Sequence, residues 1–208
     1  MRPLLATSRL RLEPLTLDHT DLLVELDSDP EVLRHIFGRG LSRSEVVERW
    51  MPHRTRPEAD ARGLGYWVGF ADDTFLGWWC LSLDPDPSAA ELGYRLRRTA
   101  WGQGYATEGG LALLAHGFGT VGLELVWAET MAVNTGSRAV MAKCGLHHVR
   151  TEAREWEEPL PGADQGEVRY EITREEWVAR GQATDMGYAA TLSTFASAPM
   201  TCFGSTGF

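Results

Sequence analysis

Residues 89 to 118 read "AAELGYRLRRTAWGQGYATEGGLALLAHGF", and this stretch constrains the fold more than any other. Apolar and polar residues first alternate, as in a strand. Gly102 and Gly104 then flank a glutamine. From Thr107, Leu111, Leu114, Ala115 and Phe118 recur at helical spacing. A strand, a glycine turn and a helix follow one another with no linker between them. Glycine at such a turn permits positive φ and close approach to the main chain, at an entropic cost. The first helical turn has N–H groups without intrahelical partners and the positive end of the helix dipole. Together they form an anion site suited to phosphate. The bland alternative is a tight turn with no ligand.

Two common phosphate motifs fail on spacing. A dinucleotide fingerprint needs glycine where Thr107 stands, and a P-loop needs a Gly-Lys pair that is absent. The net charge of -9 argues against a nucleic-acid footprint, which needs clustered Lys and Arg. No apolar run reaches the ~18 residues of a membrane span. The N-terminal "MRPLLATSRLRLEP" has too short an apolar stretch for a signal peptide. A cytoplasmic protein with no membrane or nucleic-acid partner is therefore expected. Cys80, Cys144 and Cys202 lie far apart with no CxxC, so neither a disulfide framework nor a metal site is expected. His147-His148 would point to opposite faces of a strand and makes no metal pair.

Along the chain, "SRLRLEPL" alternates with Leu10 and Leu12 on one face. Asp29-Pro30-Glu31 reads as a helix start with proline in the first turn. Ser42-Arg43-Ser44-Glu45 is a capping box, followed by Val46, Val47, Trp50 and Met51, and Pro52 should close that helix. "GYWVGFA", "TFLGWWCLSL" and "AAELGYRL" form a meander of three strands, the first two joined across Asp72-Asp73. "LELVWAETMAV" reads as a largely buried strand. "NTGSRAVMAKCG" reads as a short helix closed by Gly145. Strands around 147–156 and 167–173 follow, and "TREEW" begins a helical turn. With 208 residues, 43% of them hydrophobic, one core is expected. The domain is placed at 1–180. Residues 181–208 form a tail, uncharged from Met186 on, either floppy or packed as an arm. The acidic run from 152 to 158 reads as a solvated face.

Taken together, "WGQGYATEG" and "NTGSRAVMAKCGL" resemble the two central motifs of the GNAT acyl-CoA N-acyltransferases. The branch most similar contains the ribosomal-protein alanine N-acetyltransferases. "TSRLRLEPLTLDHTDLLVEL" resembles that branch's first strand and helix, and "VRYEITREEW" its last strand. The resemblance runs from about 7 to about 178. Gly109-Gly110, in place of better helix formers, and the ending Cys144-Gly145-Leu146 depart from it.

The resemblance implies an α+β fold. A mixed central sheet of about seven strands is flanked by helices and splays open between the strands at 89–96 and 123–130. It implies acetyl-CoA as co-substrate, no metal, and transfer to a primary amine in a ternary complex. The acceptor would be a small-molecule or peptide amine, and a homodimer is compatible. Cofactor-binding residues would be Leu96, Arg97, Gly102, Gln103, Gly104, Tyr105, Ala106, Thr107, Asn134 and Ser137, with Tyr105 more a packing residue beside the pyrophosphate. A β-bulge in the 89–96 strand would free main-chain groups for the pantetheine.

Acyl transfer needs a base for the amine proton, a donor for the oxyanion and help for the departing thiolate. Alternation puts Glu91, Gly93 and Arg95 on one face and Leu92, Tyr94 and Leu96 on the other. Glu91 in an apolar strand would have a raised pKa and serve as base, or else be a surface or ion-paired strand residue, with Arg95 as the partner. Glu129 is the alternative base or an orienting group. Asn134 is sufficiently explained as a helix cap; the resemblance adds a contact with the CoA arm. The resemblance makes Ser137 the acid candidate; the segment lacks the tyrosine described in other branches, which leaves serine or water. Two other readings stay open. One is an acyl-CoA-binding module without chemistry, or transfer of a different acyl group. The other is a structural protein with only a tight turn at 102–104.

Overall fold

In the computed structural model, residues 2–153 and 159–181 are described. The chain divides into two units, Met1–Arg174 and Glu175–Phe208. Of the second, residues 175–181 are helical. The tail from Met186 and positions 154–158 of the acidic run lie outside the described residues.

The first unit is built on one eight-stranded sheet, ordered β1-β2-β3-β4-β5-β6-β8-β7. The strands are β1 (Leu5–Ala6), β2 (Arg11–Pro14), β3 (Gly65–Ala71), β4 (Thr74–Leu83), β5 (Ala89–Leu96), β6 (Leu125–Met131), β7 (His147–Glu152) and β8 (Glu167–Thr173). The strand beyond the expected seven is β1, whose two residues are too few to show a period. All pairings are antiparallel except β5 with β6. The helices are α1 (Thr20–Ser28), α2 (Met51–Arg54), α3 (Pro57–Ala61), α4 (Tyr105–His116) and α5 (Thr135–Cys144).

Alternation along β4 divides the core. Trp78 and Cys80 join Leu23, Leu26, Val46 and Met51 on the α1/α2 face. Trp79 faces α4, donating from Nε1 to Ala106 O at 3.2 Å. Gly109 and Gly110, which weaken a helix on propensity alone, have a packing reason here. A Cβ at Gly109 would lie 2.4 Å from Trp79, and one at Gly110 would lie 2.8 Å from Cys144 Sγ. The missing side chains let α4 sit down on the sheet and against α5.

Four local expectations are corrected. Asp29-Pro30 starts no helix: Asp29 caps the end of α1, and residues 30–37 form successive turns. Ile36, Phe37 and Gly38 all donate to the one carbonyl of Leu33, and Gly38 then turns left-handed. The Ser42–Glu45 capping box forms, with Ser42 N donating to Glu45 Oε2 at 2.8 Å and Glu45 N to Ser42 Oγ at 3.3 Å. Its helix does not stop at Pro52, however. The turns widen to a π-helix over Glu45–Trp50, and α2 carries Pro52 in its first turn, where a missing N–H matters least. β6 is not buried throughout, since Glu129 is exposed. Finally, the β4–β5 register is unbroken, so β5 has no bulge against β4. The irregularity lies one strand away, where β3 pairs β4 at Gly69/Phe70.

Candidate active site

β5 and β6 pair over only three positions, the last being Glu91 with Trp127. Beyond it β6 stays with β8 as far as Met131. Leu92 to Leu96 therefore have no strand partner on that side. This splay frees the main-chain groups for which a bulge was expected.

The glycine turn closes the wide end of the splay. Gly102 has φ +72° and Gly104 φ +85°, so both need left-handed backbone. A Cβ on Gly102 would meet nothing within 4 Å, and one on Gly104 only Arg9 Nη2 at 3.4 Å. The space before this backbone is open. Glu108 N closes on Gly104 O at 3.0 Å, so the amides of Tyr105, Ala106 and Thr107 precede the α4 hydrogen-bond ladder. Arg9 braces the turn from outside. Its Nε donates to Glu108 Oε2 (2.7 Å), its Nη1 donates to Gln103 O (3.1 Å), and its guanidinium lies 4.6 Å from the Tyr105 ring centre.

A cavity of about 370 Å³ lies along the splay. Its walls include Leu96, Gly102, Gly104, Ala106 and Thr107, and across from them Asn134 and Ser137 at the start of α5. These seven are among the ten residues expected to hold the cofactor. The other three lie outside the lining. Arg97 pairs with Glu25 (2.6 Å), Gln103 donates from Nε2 to Thr99 O (2.6 Å), and Tyr105 stacks with Arg9. Asn134 is a helix cap in fact, its Oδ1 accepting from Ser137 N at 3.1 Å. Its Nδ2 donates to Thr130 Oγ1 at 3.0 Å, which anchors the cap to β6.

The cavity also takes in residues that sequence reasoning missed: Tyr94 and Arg95 on β5, Trp101, Lys143, and the turns from Glu31 to Ile36. Tyr94 was legible as facing away from Glu91. What no local pattern showed was that α5 would lie over that face. The phenol of Tyr94 sits 2.8 Å from Ser137 Oγ and 3.0 Å from Ser137 O. The 31–36 turns come from residues read as a helix, which hid their place at the cavity.

The two candidate bases differ sharply. Glu91 stands at the apex of the splay, opposite Ser82 on β4, and does not itself line the cavity. Burial pushes its carboxyl up to about 7, with the nearby charge of Glu129 adding to the effect. It has no ion pair with Arg95. That guanidinium is held by buried Asp27 (2.5 Å), which also pairs with Arg54 at 2.8 Å. Glu129 Oε1 is shared by Arg169 (3.3 Å) and Arg150 (3.7 Å). Among the described residues no three His, Cys, Asp or Glu side chains gather as a metal site would.

The profile of the acetyltransferase (GNAT) domain matches residues 9–147, well over half of the chain. The chain belongs to the GNAT acetyltransferases. It is thus an acetyl-CoA-dependent N-acetyltransferase, transferring the acetyl group to an amine. Among relatives, the FsC-acetyl coenzyme A-N(2)-transacetylase of Aspergillus fumigatus is 41% identical, over 94% of this chain and 86% of that one. A Bacillus subtilis protein of uncharacterised function, YkkB, is 29% identical over 75% of this chain and 91% of its own. Two solved structures share the fold. RimL, a ribosomal L7/L12 alpha-N-protein acetyltransferase in complex with coenzyme A, has a TM-score of 0.69 at 19% identity, over 82% of this chain and 98% of that one. A spermidine N-acetyltransferase from Vibrio cholerae, with CoA and spermine, has a TM-score of 0.70 at 16% identity, over 83% and 99%. No described helix of this GNAT protein is long and apolar enough to cross a membrane.

Proposed function

We propose that this acetyltransferase acts on the N(2) amine of a small-molecule acceptor and works in the cytoplasm. The observation that carries the acceptor reading is the 41% identity to a transacetylase named for an N(2) nitrogen, spread over 94% of the chain. The structures sharing the fold act on a ribosomal protein and on a polyamine, and at under 20% identity they do not bear on the acceptor. The catalytic body is the part up to about residue 180, with the uncharged tail appended.

In this reading the pyrophosphate rests on the amides of 102–107, where free N–H groups, open space and the α4 dipole coincide. The pantetheine arm follows the unpaired edge of β5 toward Glu91, with Asn134 and Leu96 beside it. Main-chain groups of that edge stabilise the oxyanion. Glu91 is the base, acting directly or through water. A carboxyl held near 7 is half ionised at neutral pH and accepts a proton more readily than an ordinary one. Glu129, committed to two arginines, orients the acceptor instead. Ser137 serves the departing sulfur.

The test is a CoA-release assay over N(2)-amine small molecules, peptide N-termini, polyamines and aminoglycosides, with mass spectrometry of the products. Acetylation of small N(2) amines is expected. Preferential acetylation of peptide N-termini would overturn the acceptor assignment.

A further inference from the structure

Tyr94 comes from β5 and Ser137 from the first turn of α5, and both border the cavity. Their hydroxyl oxygens are 2.8 Å apart. The phenol has one proton and two acceptors in reach, Ser137 Oγ and Ser137 O at 3.0 Å. When it donates to the carbonyl, Ser137 can donate back to the phenol. When it donates to Oγ, the serine proton is released to point elsewhere in the cavity. Rotating two O–H bonds exchanges these states without moving a heavy atom. The Asn134 bond to Ser137 N holds the serine backbone in place throughout.

We propose that Tyr94 is a positioning residue for the leaving group: it donates to Ser137 Oγ, and Ser137 in turn donates a hydrogen bond to the CoA sulfur. This rests on acetyl-CoA occupying the cavity as described above. In the step served, the amine nitrogen forms a bond to the thioester carbonyl carbon, and the C–S bond breaks with its electron pair going to sulfur. The amine proton goes to the base. The thiolate leaves hydrogen-bonded and takes its proton from solvent. Neither hydroxyl gives its proton away, because thiols ionise near 8.5 and phenols near 10. Burial pushes the Tyr94 phenol up from its ordinary value, widening that gap. A chain of two hydroxyls donates more strongly than one, since each bond polarises the next.

Bound CoA supplies the test. Its thiolate absorbs in the ultraviolet, so its ionisation can be titrated on the full-length protein. In the wild type the thiol should ionise below free CoA. Tyr94→Phe should move it back by about one unit, a roughly ten-fold change in the equilibrium. The same variant should lower kcat by about ten-fold while KM for acetyl-CoA changes by less than about two-fold. Ser137→Ala should remove the depression entirely and make the added Tyr94→Phe silent in kcat, because both act through one contact. An unchanged thiol titration in Tyr94→Phe, or multiplicative losses in the double variant, would overturn the proposal. A residue that merely pinned α5 to β5 would raise KM and lower the melting temperature instead. Ser137→Ala leaves Tyr94 in place and gives a second reading should Tyr94→Phe fold poorly. Should the wild type release no CoA with any amine and bind none, the acetyl-CoA reading fails first. A wild type that binds CoA and turns over, with a Tyr94→Phe variant indistinguishable from it, isolates the failure to Tyr94.

Discussion

On one face of β5 the cavity is bordered by the 102–107 turn, by Tyr94 and by the capped start of α5. On the other face stand charges drawn from distant segments: Asp27, Arg54 and Arg95 are buried together, and Arg95 reaches the cavity that the 31–36 turns also line. In the reading proposed above, the first face takes acetyl-CoA, a ligand common to the whole family, through its backbone geometry. The second is built from coupled side chains, and Asp27, which pairs with both arginines, cannot be lost alone without leaving buried charges unpaired. In that reading, donor binding belongs on the α4/α5 face.

The strongest challenge to this division is Gly104→Val. A β-branched residue at φ +85° is strained by about 1–3 kcal/mol, and relief of that strain would turn the amides away. Calorimetry should detect no acetyl-CoA binding, while the melting temperature falls only modestly. Retained affinity would take the pyrophosphate off this turn.

Asp27→Ala should damage the opposite face. It leaves two guanidiniums buried together, and Arg54 Nη1 and Arg95 Nε already have no hydrogen-bond acceptor among the described residues. A loss of about 3–5 kcal/mol in denaturant unfolding is expected. A loss below about 1 kcal/mol would mean that water reaches the cluster.

Glu91→Gln should cut kcat by about 10²-fold with little change in acetyl-CoA affinity. The wild-type rate should rise with pH through about 7, as the carboxyl ionises, and the variant should lose that inflection. Stability runs the other way. A carboxyl raised from 4.5 to about 7 by folding binds its proton more tightly in the folded state. Its contribution is full below the unfolded value and is lost as pH rises through 7. Melting curves of the pair between these limits should diverge accordingly. An unshifted rate profile would move the base to Glu129 or water.

The smallest effect should come from Asn134→Ala, which removes one cap bond and costs about 1 kcal/mol. If Asn134 also touches the CoA arm, KM for acetyl-CoA rises as well. A stability loss alone would leave it a cap.

Much of this cavity wall is legible in the sequence alone. Two glycines at fixed spacing announce left-handed backbone, and Asn134 with Gly145 brackets α5, because caps and turns depend on a few adjacent residues. The π-helical turn before Pro52 and the turns after Asp29 were not legible. Each is a local pattern overridden by what packs on it, Leu33 and Val46 being fully buried in the core.

By itself, then, the sequence determined seven of the eight described strands, the glycine turn and the capped α5, all set by short-range sterics and hydrogen bonding. Only the tertiary structure decided which partners met. Alternation put Glu91 and Arg95 on one face of β5, yet Arg95 went to Asp27, sixty-eight residues away. Tyr94 found Ser137 because α5 packs across the splay. Such pairings depend on how the sheet opens and how closely α4, lacking side chains at Gly109 and Gly110, can approach it. Long-range packing of that kind leaves no periodic trace in a single chain.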